Sequence, residues 1–198
     1  MPREKAPLAH LGLGGGDGRR YPPGLPRTVY YAAASADGFI AARDGGVSWL
    51  DPFNSPELGH DAFLARVGAV VVGRATYDQM LGFGPWPYAG RRGLVVTSRP
   101  IVGLPEGVGA ILPAELPAAL AGLRARTPGD VWIVGGGRTA RLCLDAGLVD
   151  ELELYLVPRL LGDGVPLLER REAFARLRLL ETRAFSSGVT LVRYAVER

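Results

Sequence analysis

The feature that most constrains this chain is one continuous stretch, Val131-Trp132-Ile133-Val134-Gly135-Gly136-Gly137-Arg138-Thr139. Four apolar, mostly β-branched or aromatic residues predict a buried strand, and three glycines then let the backbone turn where side chains would clash. Residues 138–146 contain no helix breaker and stop at Gly147, so a helix begins where the turn ends. Strand, glycine turn and helix N-terminus together make an anion site, because free N–H groups and the positive end of the helix dipole converge there. The leading reading is a dinucleotide pyrophosphate. Two others stay open at this point. Such turns also serve packing alone, and Gly135, Gly137 and Ala140 satisfy the Rossmann pattern G-x-G-x-x-A, with Glu153 near the place of a ribose-binding acid.

Charge and composition narrow the classes. The 198 residues suit one domain, and a net charge of +3 from scattered arginines favours small anionic ligands over a nucleic-acid surface. The single cysteine, Cys143, has no partner for an internal disulfide and sits between two leucines. No apolar run reaches membrane-spanning length, no signal-peptide hydrophobic region is present, and a cytoplasmic location is expected. No metal site is expected. Residues 1–26, rich in glycine and proline, read as a flexible tail, leaving 27–198 as the folded domain.

Within that domain, residues 29–34 predict a strand whose small Ala33 and Ala34 would let a flat ligand approach the backbone. Residues 35–51 carry turns at Asp37-Gly38 and Asp44-Gly45-Gly46 and read as a lid or as a simple hairpin connection. A helix is predicted over 56–67, with Pro56 at its first position, Glu57 in its first turn, and Leu58, Ala62, Phe63 and Val67 inward. The apolar strand 69–73 then runs into Gly73-Arg74-Ala75-Thr76, a second glycine-bounded helix start. A strand at 93–96 ends in Thr97-Ser98-Arg99-Pro100. Further elements are a strand at 108–112, a helix at 115–126 and a half-exposed strand at 151–157. A hairpin of strands 176–185 and 189–196 closes the chain.

Three strand ends thus carry anion-binding chemistry: Gly73 to Thr76, Thr97 to Arg99 and Gly135 to Thr139. Arginine matches phosphate geometry with paired donors, and in an open α/β sheet ligands bind beyond the carboxyl ends of strands. One elongated phosphate ligand explains all three turns.

In order and character, residues 30–40, 70–77, 95–100 and 133–138 resemble dihydrofolate reductase. The resemblance covers roughly 28–197. It is greater to the C-terminal reductase domain of the riboflavin-biosynthesis deaminase/reductase and its stand-alone bacterial relatives. Those proteins share the Ser35-Ala36-Asp37-Gly38-Phe39-Ile40 loop, Trp49-Leu50 and Leu160-Leu161-Gly162-Asp163-Gly164. The resemblance implies an α/β, dihydrofolate reductase-like three-layer fold: a mixed, mostly parallel sheet, helices on both faces and a C-terminal antiparallel hairpin. It further implies NADPH across the strand ends and a homodimer. Arg74 and Thr76 match positions holding the cofactor's adenosine and phosphates. Thr97, Ser98 and Arg99 match the 2′-phosphate pocket, Gly135, Gly136, Gly137, Arg138 and Thr139 the pyrophosphate turn, and Ala33 and Ala34 the strand end beside the nicotinamide.

Hydride transfer needs alignment of the nicotinamide with an electrophilic carbon, and a C=N or C=O acceptor also needs a proton. Folate reductases place a carboxylate near the start of the first helix, and counting back from Gly73 reaches Glu57. Asp37 is the residue typical of the riboflavin branch and the preferred polar contact to substrate. Each also has an ordinary explanation, as helix-start glutamate and turn aspartate. The expected activity is NADPH-dependent reduction of a pyrimidine- or pterin-type heterocycle, resembling 5-amino-6-(5-phosphoribosylamino)uracil reductase. The alternatives are dihydrofolate reductase, or a non-catalytic nucleotide-binding or sensor protein on the same fold. Expected partners are a small heterocyclic substrate and a second copy of the chain, with neither nucleic acid nor membrane. No His-x-Glu with Cys-x-x-Cys deaminase motif is present.

Overall fold

The computed structural model describes residues 26–197, so the reading of the preceding segment as a tail lies outside the described residues. Eight strands form the main sheet: β1 (Thr28–Ser35), β3 (Val67–Gly73), β4 (Arg92–Val96), β5 (Val108–Ile111), β6 (Asp130–Val134), β7 (Glu151–Val157), β9 (Arg176–Ala184) and β10 (Thr190–Glu197). Their order is β5-β4-β3-β6-β1-β7-β10-β9. All pairings from β5 to β7 are parallel, and β10 is antiparallel to both its neighbours. Two short strands, β2 (Phe39–Ala41) and β8 (Val165–Pro166), pair antiparallel beside it.

Helices cover both faces because the central strands are apolar on both. Helices α3 (Leu116–Ala125) and α4 (Gly137–Asp145) bury Leu116, Leu120, Leu123, Cys143 and Leu144 against Tyr30, Val71 and Ile133. On the other face α1 (His60–Arg66) and α2 (Arg74–Phe83) bring Phe63 and Tyr77 onto Val29, Val70, Val72 and Trp132. The expected mixed three-layer sheet with a C-terminal antiparallel hairpin is therefore what the chain forms.

Two local readings are corrected. The helix expected over 56–67 is a 3-10 turn, Pro56–Leu58, separated from α1 by Gly59 at φ +76°, and Val67 already belongs to β3. Glycine has low helix propensity and adopts the left-handed region freely, so it ends the first turn instead of continuing it. Phe63 and Val67 face inward as expected, while Ala62 is exposed.

Strand β7, expected to be half-exposed, lies between β1 and β10 with its glutamates buried. Glu151 accepts from Arg27 and Arg193 at 2.8 and 2.5 Å, and Glu153 pairs with Arg66. Acid–apolar alternation reported the two faces of the strand correctly, but arginines from other elements cover the acidic one. These contacts occupy Glu153, so the Rossmann reading loses its ribose acid.

Candidate functional site

At the carboxyl ends of β3, β4 and β6, a cleft of about 260 Å³ is lined by residues of all three predicted anion turns: Gly73, Arg74, Thr76, Thr97, Ser98, Arg99, Gly136, Arg138 and Thr139. Two helix N-termini open into it. Neither α2, capped by Gly73, nor α4, capped by Gly136, has a side chain accepting from its first N–H groups. Their donors and dipoles remain available to an anion.

The turns also pack on one another. Gly135 and Gly136 hold φ values of +52° and +63°, and a Cβ on either would lie 3.3 Å from Thr76. A Cβ on Gly73 would stand 2.5 Å from Thr139 Oγ1, and one on Gly137 would stand 2.3 Å from the Pro166 carbonyl oxygen. Glycine is required here for close approach as much as for turning. Gly137 is buried, so its place is beneath the cleft, whereas Gly135 lines the adjoining cavity.

The cations differ in their freedom. Arg74 donates through Nε to Asp78 at 2.7 Å and through Nη1 to the Pro100 carbonyl at 3.1 Å, which fixes the 99–100 loop against α2. Thr97 Oγ1 accepts from the Arg99 N–H at 3.0 Å, shaping the same loop. Arg99 and Arg138 are exposed.

The cleft continues into two apolar cavities. The larger, about 640 Å³, runs from Gly135, Gly136 and Thr76 past Ala33 to Tyr88 and Trp132. The second, about 380 Å³, shares Tyr31, Ala33, Val47 and Leu50 with it and reaches Asp51, Asn54, His60 and Tyr155. Ala34 points to the opposite face of β1 and is fully buried. Gln79 Nε2 donates to the Gly45 carbonyl at 2.7 Å, tying the 44–46 turn to α2 across the larger cavity.

Both carboxylates favoured for substrate contact stand apart from these spaces. Asp37 accepts from the Ser35 hydroxyl and from the N–H groups of Leu161 and Gly162, the latter at 2.7 Å. Those bonds, the Ser35 hydroxyl first, hold its carboxyl below the usual range. Glu57 accepts from the Ser186 hydroxyl at 2.9 Å on the exposed side of the C-terminal hairpin. Neither lines the cleft or the two cavities.

Sequence reasoning missed the polar group that does line them. Tyr31 Oη lies 3.3 Å from His60 Nδ1, and its ring stacks on Phe63 at 4.0 Å and meets Tyr155 at 5.1 Å. Burial, with Tyr155 beside it, pushes the Tyr31 hydroxyl well above its ordinary range, so it keeps its proton. Burial lowers the His60 pKa, favouring the neutral imidazole. The two-residue period of β1 was the available signal, since Tyr31 shares a face with Ala33. Cys143, by contrast, is buried on the inner face of α4 with its thiol pushed up to about 12, which makes it inert.

An open α/β sheet with two helix starts free of side-chain caps, three arginines and an adjoining apolar cavity has the shape and charge to accommodate an elongated anion with a ring. The chain belongs to the family of the RibD C-terminal domain, whose profile matches residues 95–191. The uncharacterized protein YwjB of Bacillus subtilis is 32% identical over 167 residues, covering 83% of this chain and 95% of that protein. A candidate riboflavin biosynthesis protein of Shewanella sp. PV-4 superposes with a TM-score of 0.76 at 29% identity, covering 87% of this chain and 99% of that one. Dihydrofolate reductase of Enterococcus faecalis, solved with NADP(H), superposes at 0.62 and 20% identity over 87% and 97% of the two chains, which shows a shared fold. Among the described residues no helix is long and apolar enough to cross a membrane, and no group of His, Cys, Asp or Glu could hold a metal ion.

Proposed function

We propose that this protein is an NADPH-dependent reductase of a pyrimidine- or pterin-type heterocycle. The observation that carries the reading is the continuity of a cationic cleft faced by two uncapped helix N-termini with an apolar, aromatic cavity. A pyrophosphate and a second phosphate suit the first, and two stacked flat rings suit the second.

NADPH, when bound, supplies the hydride for an electrophilic ring carbon. The residues of this chain hold and orient it. Ser98 and Arg99 take the adenosine 2′-phosphate, the Gly135-Gly136-Gly137 turn with Arg138 and Thr139 takes the pyrophosphate, and Ala33 leaves the nicotinamide room. Gly73, Arg74, Thr76 and Thr97 fix the geometry of those contacts. Tyr31 carries a proton on Oη at the wall shared by both cavities, and donates it to a ring nitrogen or carbonyl oxygen. His60 Nδ1 stands where it can return that proton from solvent. Asp37 is a positioning residue: through Leu161 and Gly162 it holds the loop that precedes β2. Glu57 is assigned no chemical step.

A homodimer and a cytoplasmic location complete the reading. Leu177, Leu179 and Leu180 of the edge strand β9 are 41–46% exposed and offer a second copy an apolar face. Sedimentation of the wild type against Leu179→Asp checks this, with a dimer expected only for the former.

The decisive experiment is parallel calorimetric titration with NADPH and NADH, followed by anaerobic oxidation of NADPH in the presence of pyrimidines, pterins and folates. Preference for NADPH with oxidation by one of these rings is expected. Binding of neither nucleotide would overturn the reading, and tight NADPH binding with every ring inert would favour a sensor.

A further inference from the structure

The two halves of the site have opposite charge. Arg74, Arg99 and Arg138 line the phosphate cleft, whereas neither apolar cavity has an arginine or lysine in its wall among the described residues. The charged residues there are Asp44 in the larger cavity and Asp51 in the second, which His60 also lines. Burial favours the uncharged form of His60.

The surrounding cations are directed elsewhere. Arg43 pairs with Asp163 and is 82% exposed. Arg66 is held by Glu153 and Asp130. Arg159 lies 5.5 Å from the Phe53 ring centre, an exposed side chain at the outer edge of the second cavity. A phosphate dianion attached to a ring in these cavities would face carboxylates and apolar walls with no arginine or lysine among the described wall residues to receive it, and the starts of α2 and α4 that reach the larger cavity are the ones that serve the phosphate cleft. Like charges set against one another in a partly desolvated site are selected against strongly.

We infer that the ring reduced by this protein carries no phosphate: the substrate is a neutral or cationic planar heterocycle, with any sugar-like substituent present as free hydroxyls near Asp51 and Asn54. This rests on the reductase reading and separates the chain from a reductase of a phosphoribosylamino-pyrimidine. Asp51 and Asn54 accept hydrogen bonds from hydroxyl or amino groups, which suits an uncharged polyol or an exocyclic amine.

The test is titration of the intrinsic tryptophan fluorescence with 5-amino-6-(5-phosphoribosylamino)uracil and with the same compound lacking its phosphate, at two salt concentrations. The dephosphorylated compound is expected to bind at least about tenfold tighter. The difference should narrow at high salt and narrow further in Asp51→Asn. Arg159→Ala should leave both affinities unchanged. Equal or tighter binding of the phosphorylated compound, or its specific loss in Arg159→Ala, would overturn the inference. NADPH affinity, read from the nucleotide's own fluorescence without any pyrimidine, reports separately on the cofactor cleft. Failure there counts against the reductase reading and leaves the ratio between the two pyrimidines to be judged by itself.

Discussion

The phosphate cleft and the ring cavities adjoin at the same strand ends, yet they are built differently. The cleft is built mostly from backbone: uncapped N–H groups of α2 and α4, close-packed glycines and arginines within a residue or two of a helix start. Each part belongs to a short, continuous motif. The cavities instead draw Tyr31 from β1, His60 from α1, Trp132 from β6 and Tyr155 from β7 into one aromatic group. On the proposed reading, charge would be recognised by local chain geometry, and ring shape by side chains distant in sequence.

The largest test of this contrast is Tyr31→Phe. It removes the proton-bearing hydroxyl and keeps the stack on Phe63, so turnover should fall by roughly a hundredfold or more while NADPH affinity holds. Single-turnover NADPH oxidation beside a binding isotherm measures both. A comparable loss in affinity would place Tyr31 in the cofactor half of the site.

Arg99→Ala acts on the other half. NADPH binding should weaken by about tenfold to a hundredfold, the range for a lost charge-assisted contact, with NADH unaffected. Equal losses for both nucleotides would remove the 2′-phosphate assignment.

Gly137→Ala probes the packing under the cleft. A Cβ 2.3 Å from the Pro166 carbonyl oxygen and 3.0 Å from that of Leu167 has only backbone to displace. Stability should fall by about 1–3 kcal/mol, read from denaturant unfolding, with NADPH affinity reduced as the turn shifts.

The smallest effect is a pH dependence centred on His60. Its folded pKa is depressed by burial, so its neutral form is favoured in the native state. The corresponding stability is complete above the unfolded value of about 6.5 and declines as pH falls through the lower folded value. Because His60 is partly exposed, the melting temperature should drop by only about 1 °C between pH 7 and pH 5, and His60→Gln should remove that share.

How much was legible follows the same division. The parallel strands, the anion turns and the C-terminal hairpin could be read because each is written in adjacent residues: apolar runs, glycines at turns, alternation in strands. The split of the first helix at Gly59 was missed because Pro56 and Glu57 are good helix-start residues and one glycine decided otherwise. Glu151 and Glu153 looked half-exposed because their partners Arg27, Arg66 and Arg193 come from elsewhere in the chain. Asp37 and Glu57 attracted attention as carboxylates in suggestive places, yet one accepts from a distant loop and the other from the hairpin turn.

By itself the sequence determined the layers of the fold and which turns line its cationic cleft. Backbone conformation and helix termini depend on neighbouring residues, which any reading of the chain can see. Only the tertiary structure decided which side chains meet at the ring cavities, because the registers of β1 with β6 and β7 set Tyr31 beside Val134 and Glu153 and bring α1 over them. The absence of a cation from the described cavity walls was decided in the same way: arginines are plentiful along the chain, and folding turned those near the cavities toward buried carboxylates or solvent.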